Sequence, residues 1–214
     1  MLENYPELIN GCDKKGETVV HSWMSIGKLW PFEHTLQRDY ISAEWKSSFI
    51  RLLGKHDAEK RKPLHLAAEL RGHDDNDDDI EVVVEQIVEL VLAAWNSENF
   101  RYPKHYQCFD KDKNGHTPLT RAVVCRNEKL TLCFLVRHKL ARRMENGEVA
   151  DILFKAIDYQ WHQVVKSIIL YEACVRESMD VLRSGRENAL HVGWKSTGAQ
   201  SLKMLKFLYQ LIGS

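Results

Sequence analysis

The feature that most constrains this 214-residue chain is a phrase that it uses more than once. Lys62-Pro63-Leu64-His65-Leu66-Ala67-Ala68 and Thr117-Pro118-Leu119-Thr120-Arg121-Ala122 set proline, leucine and alanine in one frame. Weaker copies flank them: Thr18-Val19-Val20-His21 after Asp13-Lys14-Lys15-Gly16, and Asn188-Ala189-Leu190-His191 near the end. A further copy, Asp151-Ile152-Leu153-Phe154-Lys155-Ala156, keeps only the apolar positions. Recurrence at spacings of a few tens of residues marks a chain built from repeated supersecondary units, each too small to bury its apolar face alone.

The phrase has a physical meaning. A polar residue opening it caps a helix by accepting a bond from an unpaired backbone N–H, and proline suits the first helical position, where its missing N–H costs nothing. Thr18, Thr117, Asp151 and Asn188 can cap; Lys62 cannot, so that helix is expected to start less tightly. Each phrase is followed by apolar residues at helical spacing, clearest in Ile80, Val83, Val84, Ile87, Val88 and Val91. The others are Trp45, Phe49, Leu52 and Leu53; Leu130, Cys133, Phe134 and Val136; Val164, Val165, Ile168 and Ile169; and Leu202, Leu205, Leu208 and Leu211. An all-α chain of five helix pairs is predicted.

These phrases resemble the ankyrin pattern T-P-L-H-x-A, the copy at Lys62 lacking Thr and the copy at Thr117 lacking His, and Asp13 to Thr18 is similar to that family's D-x-x-G-x-T lead-in. Thr18 to Lys62 is 44 residues, Lys62 to Thr117 is 55, Thr117 to Asp151 is 34 and Asp151 to Asn188 is 37. Against the family period of about 33, the first two intervals need insertions of roughly 11 and 22 residues. The first is expected around Gly27 to Asp39, where Trp30-Pro31-Phe32 should break any helix. The second is divided between the acidic loop Gly72 to Asp79 and the stretch Asn96 to Phe109. The resemblance implies one ankyrin-repeat solenoid over 1–214, with repeats at 11–55, 56–109, 110–145, 146–182 and 183–214, and residues 1–10 ending a preceding repeat. An array entered partway implies a neighbouring segment or a truncated start, because terminal repeats need a polar-faced cap. The Tyr5-Pro6 exit and Gly16-Glu17-Thr18 turn are also similar in style to plant ankyrin proteins that continue into a membrane segment.

Composition narrows the function classes. Thirty Lys+Arg balance thirty Asp+Glu, without the basic excess on which nucleic-acid binding draws, so no nucleic-acid partner is expected. The longest apolar stretch, Val82 to Trp95, is broken by Glu85, Gln86 and Glu89, so no membrane insertion by this segment is expected. The five cysteines, Cys12, Cys108, Cys125, Cys133 and Cys174, are scattered and fit a reducing compartment. With no secretory pattern at Met1 to Asn10, the chain is expected in the cytoplasm, the nucleus or on the cytosolic side of a membrane protein.

Candidate chemistry is sparse. Asp110-Lys111-Asp112-Lys113-Asn114-Gly115 opens like a calcium loop, but the twelfth position is Arg121, where a bidentate Glu is needed. Asp74 to Asp79 reads as a solvated acidic loop before a helix beginning near Ile80, or a landing site for a basic segment or divalent cation. His105 and Cys108 make half a zinc site at best, and Cys125 and Cys133 read as small core residues. His21, His65 and His191 are expected to tie adjacent repeats through ring hydrogen bonds. No catalytic, cofactor or metal motif stands out, so no enzyme activity and no cofactor are expected.

The resemblance therefore implies a protein–protein interaction module, using the turns and first helices as its binding face. Carried over by position, the turn residues are Lys14, Lys15, Glu17, Glu59, Arg61, Lys113, Asn114, His116, Arg186 and Glu187. On the first helices they are Ser25, Ile26, Glu69, Leu70, Val124, Cys125, Asp158, Tyr159, Lys195 and Ser196. Two alternatives stand beside this: a cytosolic ankyrin segment of a larger membrane protein or channel, and an effector or enzyme whose activity lies outside the repeats.

Overall fold

The computed structural model describes residues 11–38, 41–70, 78–96, 109–137 and 146–171, with Met144 and Lys206 besides. Among them the chain is helical, with no β-strand beyond one isolated bridge between Cys12 and Thr18. The elements are α1 (Val19–Ser25), α2 (Trp30–Gln37), α3 (Ala43–Leu53), α4 (Pro63–Glu69), α5 (Asp78–Asn96), α6 (Pro118–Val124), α7 (Glu128–Leu132), α8 (Asn146–Asp158) and α9 (His162–Tyr171). Leu202, Leu205, Leu208 and Leu211, and the copy at Asn188 to His191, lie outside the described residues.

The chain falls into two compact units, 1–130 and 131–214. In the first, α1 packs on α4 and α4 on α6, so the three short helices opened by the repeated phrase lie side by side. Behind them α3 and α5 supply the buried apolar stripes expected of them: Trp45, Phe49, Leu52 and Leu53 on one, Val84, Ile87, Val88 and Val91 on the other. In the second unit α8 and α9 pack together through Val149, Ile152, Leu153, Ala156, Val164, Val165 and Ile168.

Four expectations are corrected. Trp30-Pro31-Phe32 does not break a helix; it starts α2, because Pro31 falls in the first turn, where its missing N–H has no partner to lose. Phe32 is fully buried, with its ring edge-on to Phe49 at 5.6 Å, so the first insertion adds core rather than loop. Asp151 does not cap, since α8 begins five residues earlier at Asn146 and Asp151 lies inside it. Thr18 makes no side-chain bond to its helix backbone; its hydroxyl meets the His21 ring instead. Val136 is exposed and Leu135 buried, because the chain passes from α7 into a π-helical turn, Cys133–Arg137, whose i→i+5 bonding takes more residues per turn and so moves the apolar face along the sequence. In addition, α5 starts at Asp78, two residues before Ile80.

Helix ends repeat more faithfully than helix starts. At Gly27, Arg126 and Gln160 the backbone is left-handed, with φ of 63°, 56° and 62°. In each case the following N–H bonds back to a carbonyl one turn inside the helix: Lys28 to Trp23 at 2.9 Å, Asn127 to Ala122 at 2.8 Å and Trp161 to Ala156 at 2.8 Å. These left-handed residues stand nine positions after Thr18, Thr117 and Asp151, so the frame at Asp151 holds at the end of the helix although it fails at the start.

Candidate functional site

Three turns precede α1, α4 and α6, and each is organised by an aspartate five residues before the helix cap: Asp13, Asp57 and Asp112. One carboxylate oxygen accepts two backbone N–H groups in every case. Asp13 Oδ1 takes Lys15 and Glu17 at 2.8 and 2.9 Å. Asp57 Oδ1 takes Glu59 and Arg61 at 2.8 and 2.7 Å. Asp112 Oδ1 takes Asn114 and His116 at 2.8 and 2.9 Å. The tight corner needs a left-handed residue, supplied by Gly16 and Gly115 at φ 75° and 79° and, in the middle turn, by Lys60 at φ 57°.

Neighbouring turns are joined by single backbone bonds, Ala58 N–H to Lys15 O at 2.8 Å and Lys113 N–H to Glu59 O at 3.0 Å. The histidine rings add a second tie, as expected of them. His21 Nδ1 accepts from the Thr18 N–H at 3.1 Å, which leaves Nε2 to donate to the Arg61 carbonyl at 3.2 Å. His65 does the same, from Lys62 N–H at 3.1 Å and to the His116 carbonyl at 3.0 Å. Both rings are fully buried, and burial holds their pKa below the ordinary histidine value. In the third segment Thr117 and Thr120 close the cap between themselves, Thr120 N–H donating to Thr117 Oγ1 at 3.2 Å and Thr117 N–H to Thr120 Oγ1 at 2.7 Å. His191 lies outside the described residues.

Across this stack runs an ion ladder of alternating sign. Arg61 meets Asp57 at 2.8 Å, Glu17 at 3.4 Å and Glu69 at 3.7 Å. Glu69 in turn receives Arg121 at 2.7 Å, whose other terminal nitrogen lies 3.5 Å from Asp112. Glu17, Arg61, Glu69 and Arg121 are each partly covered, so the ladder is half-screened from water and holds the surface it lies on. Sequence reasoning named Glu17, Arg61 and Glu69 as binding residues but missed Arg121, Asp57 and Asp112. The signal for the aspartates was their constant distance ahead of each cap; Arg121 carried none, because its partner stands 52 residues away.

Calcium does not fit the loop at Asp110. Asp110 is taken up by the Lys62 ammonium and by His56 Nε2 at 3.7 Å, and Asp112 by backbone N–H groups and Arg121. A cation there would meet ammonium and guanidinium groups where it needs free oxygens. Lys62, which accepts no cap bond, is itself 3% exposed.

The remaining expected residues divide by place. Lys14 and Lys15 are exposed on the first turn, and Lys113 and Asn114 on the third. Lys113 Nζ reaches Glu59 at 3.0 Å on the second turn. Ser25 is exposed and donates to the Ser22 carbonyl at 3.0 Å. At the ends of the short helices Ile26 is 65% exposed, Val124 38% exposed and Leu70 half-buried. His116 is half-buried, as is Cys125, while Cys133 is in the core as expected. In the second unit Asp158 is exposed at the end of α8, and the Tyr159 ring packs edge-on against Trp161 at 5.0 Å. Arg186, Glu187, Lys195 and Ser196, the loop 72–77, His105, Cys108 and Cys174 lie outside the described residues. No described helix is long and apolar enough to cross a membrane. No protein-family model, curated protein or solved structure matches the chain.

Proposed function

We propose that the chain is an ankyrin-type solenoid whose work is to hold a partner protein on the surface made by its turns and short helices, and that it is not an enzyme. The observation that carries this is the construction of the turn tips. Three turns of one design are welded by main-chain bonds and histidine rings into a rigid rim, and that rim presents Lys14, Lys15, Glu59, Lys113 and Asn114 outward. A surface fixed by backbone loses little conformational entropy on binding, which is what separates a recognition face from merely solvated side chains. Exposed aliphatics inside a charged margin, Ile26 and Val124 beside the ladder, complete the usual anatomy of an interface.

The reading is tested by selecting binders from a displayed random-peptide library and re-measuring each clone against Lys15→Glu, Ile26→Ser and Val124→Ser. Loss of binding by about tenfold or more in these variants, with melting temperatures unchanged, is the expected result. A library in which no clone depends on any of the three positions would remove the proposed face.

A further inference from the structure

We draw no further inference here: the strongest candidate, the apolar corner where α1 gives way to α2 and leaves Ile26 65% and Trp30 64% exposed, is a surface patch for which nothing in the structure shows what covers it.

Discussion

Acid should loosen the first unit, and the two buried histidines set the size of the effect. His21 and His65 each use Nδ1 as an acceptor and Nε2 as a donor, so a second ring proton would point at a backbone N–H and forfeit that bond. Desolvation is the largest cause holding both below 6.5, acting against the carbonyls of Arg61 and His116, which favour the charged ring. The folded state thus binds fewer protons than the unfolded one. Stability is fully present above 6.5 and is lost as pH falls below it, until the folded-state pKa is reached. At about pH 5.5 an unfolded histidine has gained about 1.4 kcal/mol from protonation, so two rings that stay neutral when folded cost up to about 2.8 kcal/mol. Urea unfolding followed by fluorescence suits the assay, because Trp45 is buried and Trp23 stacks on Phe49 at 6.3 Å within the same unit. His65→Gln, which keeps a donor and an acceptor but does not titrate, should lower stability throughout and remove about half of the pH slope. A wild-type slope near zero between about pH 7.5 and 5.5, or an unchanged slope in the variant, would refute the reasoning.

Leu119 is 1% exposed at the start of α6, so Leu119→Ala is expected to cost about 2–5 kcal/mol in the same unfolding assay, and a loss below about 1 kcal/mol would show that the site collapses around the cavity. Lys60→Gly should stabilise by up to about 1 kcal/mol by relieving a left-handed lysine, whereas Gly16→Ala should destabilise, with its Cβ 3.3 Å from Ala58 N as well as strained; opposite signs in thermal melts check the pair. A double-mutant cycle on Glu69→Gln and Arg121→Gln should give a coupling of about 0.5–1 kcal/mol, reduced in high salt, as befits a two-bond pair that is partly exposed.

Elements whose causes are local could be read along the chain. The apolar stripes of α3, α5 and α9, proline in the first turns of α4 and α6, and the glycine corners at Gly16 and Gly115 follow from residue type and spacing alone, and all are found. So are the linking rings of His21 and His65, because a histidine three residues past the cap has one backbone N–H within reach and a free nitrogen pointing onward. Other features have causes that lie far away in sequence. Pro31 begins a helix rather than breaking one because Phe32 has Phe49 to bury against. Lys60 holds a glycine's conformation in a turn that is tied on both sides to distant ones, Ala58 N–H donating to the Lys15 carbonyl at 2.8 Å and Lys113 N–H to the Glu59 carbonyl at 3.0 Å. Arg121 turns inward because Glu69 and Asp112 wait on either side. Local propensities differ by about 1 kcal/mol or less, so a single long-range contact of that size or larger redirects them, and no reading along the chain can see the partner that supplies it.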